Sequence, residues 1–370
     1  MIARLAFALS VVLLGIEGNA AGDTLEGQVD GQTLDVHLAA SARDFSANGP
    51  VWWRKQMSFL GSDYVRIHVR SSGAFDPETT LVVQGARDSE VAYPLNEVAN
   101  DGLWTGIVLG GAVTVSVMGG ARPDGLTLIV DQAAIQAEVG AQYSVWGGTD
   151  ESKPINDSAV PAAMRELARP VAKLVFQSEG RSRTCTGFLV GANKLLTNEH
   201  CVHNTEACRS MSAIFGYVVG ADDVPQVGKQ YRCTHYDSSL SNAGLDATII
   251  PLSGTPGTDY GIVQNIVTDL SKNESLAIFQ YPGGKPEKVS YVNCAVMAVP
   301  VEGRVADADF THSCDTAGGS SGSPIFDAAG ELVGLHHFGF KDEGGDSTWT
   351  DNRGVRMAKL KAWILSRLGP

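Results

Sequence analysis

All six cysteines of this 370-residue chain fall after position 184: Cys185, Cys201, Cys208, Cys233, Cys294 and Cys314. The first half must therefore fold without covalent staples, while the second can be cross-linked. Whether it is cross-linked depends on the compartment the chain reaches. The first twenty residues address that point. Arg4 supplies a positive start, Leu5 to Ile16 is apolar, and Gly18-Asn19-Ala20 ends in a small residue. This is the pattern of a signal peptide, with cleavage expected after Ala20. The run is too short to span a bilayer, so no membrane insertion is expected. The mature product is expected to be secreted or periplasmic. An even number of cysteines in an exported chain implies disulfides, and six cysteines allow about 15 connectivities. A rival reading takes Cys201, His203 and Cys208 as metal ligands. Export argues against it, and no metal or organic cofactor is expected.

The apolar spacing divides the rest of the chain. Residues 21–135 carry period-2 runs and turn residues, with no long amphipathic helix. Asp63 to Arg70 alternates apolar and polar, as a half-buried strand does. Gly102–Leu109 and Val113–Val117 look like strands paired around Gly110-Gly111. Short strands at this spacing predict a β-sandwich-like N-terminal domain. His37, His68, Trp52, Trp53 and Trp104 fit strand positions with no chemical task. Residues 136–165 are rich in Gly, Ser, Asp, Asn and Pro and read as a linker, with a short helix at Ala162–Ala168. Strands resume at Val171. The tail, Met357 to Leu368, has helical spacing at Leu360, Trp363, Ile364 and Leu368. The fold class is all-β with a C-terminal helix. A formal net charge of −13 argues against nucleic acid and anionic membrane surfaces as partners.

Chemistry concentrates in Gly318-Gly319-Ser320-Ser321-Gly322-Ser323-Pro324, a small-residue loop entering an apolar run. A serine in such a loop has an accessible hydroxyl, and its glycines allow conformations other residues resist. That suits an acyl-transfer nucleophile, Ser321, with an oxyanion hole made by the N–H groups of Gly319 and Ser321. A plain Gly/Ser turn is the alternative. Upstream, Leu195 to Thr197 leads through Asn198-Glu199 to His200, and Asp246 opens the apolar run Ala247 to Leu252. The order His, Asp, Ser is that of one known triad arrangement.

On Cys-Thr-Gly-Phe-Leu-Val (185–190), Thr-Asn-Glu-His-Cys (197–201), Leu-Asp-Ala-Thr-Ile (245–249) and Gly-Ser-Ser-Gly-Ser-Pro (319–324), residues 166–370 resemble the trypsin/chymotrypsin superfamily. They are most similar to its bacterial secreted branch of glutamyl and lysyl endopeptidases. The resemblance implies a chymotrypsin-like double antiparallel β-barrel with its cleft between the barrels. His200 and Asp246 would come from the first barrel and Ser321 from the second. It implies a serine endopeptidase acting on protein or peptide substrates, with His200 as base and Asp246 orienting it. It implies a Cys185–Cys201 bridge, and nearest-neighbour pairing then suggests Cys208–Cys233 and Cys294–Cys314. In the trypsin pattern Asp315 would floor the primary pocket and select Lys or Arg. In the glutamyl pattern Thr316 and His336 would receive a substrate carboxylate, and Asp315 could pair with His336. Cleavage after Lys or Arg is the expectation, with Glu as the alternative and an inactive binding protein as a third reading. Two positions depart from the family. Ser320 stands where trypsins carry an Asp that binds the freed N-terminus. Tyr281-Pro282 stands where bacterial relatives often have His-Pro.

Overall fold

The computed structural model describes residues 28–98, 101–136, 143–341 and 349–368. The expected leader, 1–20, lies outside them. The first half builds β1 (Gln28–Ala40), β2 (Val51–Ser58), β3 (Tyr64–Ser72), β4 (Thr80–Gln84), β5 (Glu90–Pro94), β6 (Leu103–Trp104), β7 (Val108–Leu109), β8 (Ala112–Met118) and β9 (Thr127–Gln136). One sheet runs β2-β8-β4-β5; the other runs β1-β9-β3-β6, with β7 also on β3. Val65, Ile67 and Val69 of β3 face Leu81, Val83, Val113, Val115 and Val117 across one apolar core. This two-layer packing is the expected sandwich, driven by the alternation of β-branched residues.

Two local expectations change. Residues 102–109 and 113–117 do not pair with each other: β7 joins β3, whereas β8 joins β2 and β4. The chain crosses between the sheets at Gly110-Gly111. A Cβ on Gly111 would stand 1.9 Å from the carbonyl oxygen of Phe59, so the close approach demands glycine. Nor is β3 half-buried. Its polar Arg66 is fully buried, and so is Tyr64, because the second face of the strand packs against the next domain.

That domain contains β10 (Val171–Ser178), β11 (Arg181–Gly191), β12 (Lys194–Thr197), β13 (Ser212–Phe215), β14 (Gln230–Arg232) and β15 (Ala247–Pro251). Their order is β14-β13-β10-β11-β12-β15, all antiparallel. The second barrel holds β16 (Leu276–Gln280), β17 (Lys288–Ser290), β18 (Val296–Val301), β19 (Asp309–His312), β20 (Pro324–Asp327), β21 (Leu332–Lys341) and β22 (Trp349–Arg356), ordered β17-β16-β20-β21-β22-β19-β18. This is the chymotrypsin-like β fold. Helix α1 (Ala162–Ala168) precedes the barrels, and α2 (Met357–Leu368) closes them by burying Met357, Leu360 and Ile364. The three disulfides join Cys185 to Cys201, Cys208 to Cys233, and Cys294 to Cys314.

The two halves share a sheet. The start of β1 pairs with β11, with Gln28 opposite Thr184 and Gly31 opposite Ser182. Behind this seam the buried Arg66 donates to the carbonyl oxygens of Val175 and Ser210. Desolvation lowers its guanidinium to about 10, which still leaves it charged at neutral pH. Lys173 and Asp30, both fully buried, approach to 3.3 Å across the same boundary.

Candidate active site

His200 follows β12 in a turn pinned at both ends. Cys201 is bridged to Cys185 in β11. Asn198 Nδ2 donates to the carbonyl oxygen of Asp246 at 2.8 Å. Asp246 itself ends a short 3-10 turn with φ +46°, a left-handed conformation that Asp tolerates better than most residues. Its fully buried carboxylate is surrounded by donors. Oδ1 accepts from the backbone N–H of His200 at 3.0 Å, and Oδ2 lies 2.8 Å from His200 Nδ1. Arg304 Nη2 stands 3.2 Å and His337 Nδ1 3.3 Å from that same Oδ2. Burial opposes ionisation here. The charge and hydrogen bond of His200, joined by those of His337, outweigh it and hold the carboxyl well below the usual carboxylate range. Asp246 is thus a fixed anion that occupies Nδ1 of His200 and leaves Nε2 for chemistry.

Ser321 lies in the loop before β20. Among the described residues its hydroxyl donates to the carbonyl oxygen of His337 at 3.1 Å and makes no hydrogen bond to His200. Such bonds are often loose without substrate. Around it the backbone donors divide into two sets. The N–H groups of Ser320, Gly322 and Ser323 bond to Ala317, His336 and Ser320, whereas those of Gly319 and Ser321 have no protein acceptor among the described residues. Gly319 has φ +94°, and a Cβ there would meet the Tyr281 carbonyl oxygen at 2.8 Å. Ser320 turns inward, its hydroxyl accepting from the N–H of Ala317.

The specificity residues part company. Asp315 does not pair with His336. Its two oxygens accept from the N–H groups of Trp146 and Glu151 at 2.9 and 2.8 Å, so the carboxylate fastens the 146–151 segment to the second barrel. Burial pushes this carboxyl up, and the two backbone donors pull it partway back. Thr316 Oγ1 donates to Asn352 Oδ1 at 3.0 Å. His336 Nδ1 lies 3.2 Å from Nε2 of His312. Both rings are buried; His336 is held well below the ordinary histidine range, and His312 falls to about 3. Cys185, His200 and Cys201 cluster closely enough to suggest a metal site, but both sulfurs are consumed in one disulfide and offer no thiolate. His203 contacts Asn204, and Cys208 is bridged to Cys233.

Three residues escape the sequence reading. His337 projects from β21 on the opposite face to His336, as strand neighbours do. Its Nδ1 faces Asp246, and its Nε2 faces the buried Asp309 at 3.1 Å. Burial would lower its pKa, but the two carboxylates raise it, and only the protonated ring can donate to both. The doublet His336-His337 in a strand was a visible signal. Nothing in the sequence pointed to Asp309 or Arg304.

A model of the trypsin-like peptidase domain matches residues 185–335. An uncharacterised protein y4fB of Sinorhizobium fredii is 27% identical over 221 residues, covering 50% of this chain and 33% of its own. The glutamyl endopeptidase of Staphylococcus epidermidis is 22% identical over 186 residues, covering 47% of this chain and 61% of its own. That of Staphylococcus aureus is 26% identical over 181 residues, covering 47% and 52%. The chain thus spans less than two thirds of the length of these curated relatives. Among solved structures, a Glu endopeptidase in complex with MPD is 24% identical, covers 60% of this chain and 98% of its own, and has a TM-score of 0.44. The HtrA-type protease AlgW with a tripeptide is 16% identical, covers 56% and 64%, and has a TM-score of 0.41. Through residues 185–335 the chain thus carries a trypsin-like peptidase domain.

Proposed function

We propose that the protein is an exported serine endopeptidase in which Ser321 attacks the scissile carbonyl. His200 Nε2 takes the hydroxyl proton and later delivers it to the leaving amine. Asp246 keeps His200 in the tautomer that presents Nε2 and stabilises its cation. The N–H groups of Gly319 and Ser321 receive the oxyanion of the tetrahedral intermediate. The observation that carries this reading is the pair of N–H groups, Gly319 and Ser321, left without a protein acceptor among the described residues while those of Ser320, Gly322 and Ser323 are satisfied, beside a histidine whose Nδ1 is held by a buried carboxylate. Water then hydrolyses the acyl-enzyme by the same proton path.

For the pocket, the Lys/Arg reading asks Asp315 to meet a substrate cation, yet both its oxygens are already engaged by backbone donors. The acidic reading leaves Asp315 in its structural role and turns on the buried His336 and on Thr316, whose hydroxyl would exchange its bond to Asn352, and the similar staphylococcal proteins are glutamyl endopeptidases. Cleavage after Glu is therefore the favoured specificity. The test is digestion of a peptide mixture by the purified exported form, with Ser321→Ala as control and products read by mass spectrometry. New ends after Glu, absent from the control, are expected. Ends after Lys or Arg would return the pocket to Asp315. A digest identical to the control would leave a protease-like binding protein.

A further inference from the structure

The loop that carries Gly319 is held from outside the second barrel, and part of that hold comes from the N-terminal domain. The carbonyl oxygen of Gly318 accepts from the N–H of Gly283 at 2.6 Å. The carbonyl oxygen of Gly319 accepts from Thr186 Oγ1 at 2.8 Å, and that hydroxyl in turn accepts from the N–H of Tyr281 at 3.1 Å. The turn Tyr281–Gly284 is therefore the brace of the oxyanion loop. Its far end, the carbonyl oxygen of Gly284, is fixed by two donors: Lys173 Nζ from the first barrel, and Gln136 Nε2 at 3.3 Å from the end of β9. Asp30 of β1 accepts from both donors, from Gln136 at 3.3 Å and from Lys173. Asp30 Oδ1 also stands 2.1 Å from where a Cβ of Gly284 would be, and the amide of Gln28 fills the space beside Gly318 that a side chain there would need.

We propose that the N-terminal domain is a working part of the catalytic apparatus: Asp30 and Gln136 are positioning residues that set the Tyr281–Gly284 turn and, through it, the N–H of Gly319. This inference rests on the serine-protease reading of Ser321. In this chain Ser320 only closes its own loop, so the loop borrows its rigidity from a neighbouring domain. The domain is then retained in the active protein, and its loss or loosening withdraws oxyanion stabilisation before it touches substrate binding.

The experiment uses the full exported chain. Gln136→Met keeps the volume and removes the donor to Gly284. Asp30→Asn removes the charge that orients both donors. Wild type and variants are compared for thermal midpoint, peptide hydrolysis, inhibition by a peptide aldehyde and labelling of Ser321 by a fluorophosphonate. Outright loss of an oxyanion donor lowers kcat by about 100-fold or more, so a displaced one is expected to lower kcat by about 10-fold. The aldehyde, whose adduct needs the oxyanion hole, weakens by a similar factor, while KM stays within about twofold. A merely structural role would not split kcat from KM in this way. Folded variants with wild-type kcat and aldehyde affinity overturn the proposal while leaving the protease reading intact. A wild type that neither labels at Ser321 nor cleaves overturns that reading and this one together. If Gln136→Met and Asp30→Asn fail to fold, Gln28→Ala decides. It touches Gly318 from a half-buried position, and a drop in kcat of about threefold is expected; an unchanged kcat counts against the proposal.

Discussion

His337 is the residue on which the buried charges of the site balance. Asp246 and Asp309 are both out of contact with water, and the imidazolium between them is the shared donor. Replacing it by phenylalanine leaves two buried carboxylates with weakened compensation. We expect His337→Phe to lose about 3–5 kcal/mol of stability, read from urea midpoints, and to lower kcat because Asp246 is no longer anchored. Adding Asp309→Leu to that variant restores part of the stability, because one uncompensated charge is then gone. An unchanged midpoint in the single variant would show that the ring carries no charge in the folded protein. The sequence announced His200, Asp246 and Ser321 because each stands in a short motif with its own flanking pattern. Asp309 and Arg304 stand in no motif. They reach the site only because β19 and the loop before it pass behind Asp246, which one-dimensional spacing cannot report. Asp315 shows the converse. Its position relative to Ser321 pointed to a pocket floor, but position does not reveal that the N–H groups of Trp146 and Glu151 have taken up its oxygens.

Strands β19 and β21 flank β22 and bring His312 against His336. Both rings are held neutral by burial, His312 with a pKa near 3. The sign of the pH dependence follows. Below the ordinary histidine value of about 6.5 the unfolded chain binds protons that the folded strands refuse, so stability falls as the pH drops toward 3. Each such histidine contributes up to about 1.4 kcal/mol per pH unit in that window. We expect His312→Leu to flatten the dependence of the thermal midpoint on pH between 6 and 4. A slope equal to that of wild type would mean that the pair is protonated already in the folded state. At this level most of the architecture was legible, because period-2 runs and Gly turns mark strands directly. Pairing was less so. The hairpin expected around Gly110-Gly111 read adjacency in sequence as adjacency in the sheet, and the Phe59 backbone that drives the crossing lies fifty residues upstream.

The whole molecule behaves as one sheet-linked body more than as two beads on a linker. A β1–β11 ladder, a buried Arg66 and a buried Lys173–Asp30 pair all cross the boundary. Calorimetry of the full chain is therefore expected to give one transition, with calorimetric and van't Hoff enthalpies in agreement. Two resolved peaks would mean the seam is weaker than its buried polar groups require. Composition had no means of revealing this, because Asp30, Arg66 and Lys173 read as ordinary strand-surface charges until their partners are known. The seam also orders events in time. β1 is synthesised early, yet the strand that completes its edge is about 150 residues away, and contacts so distant in sequence form late. Until β11 arrives, β1 presents unpaired backbone groups that any other extended chain could capture. A protein built this way depends on its surroundings during synthesis to keep that edge unoccupied, and its yield should respond to growth temperature and chaperone supply more than its final stability would suggest.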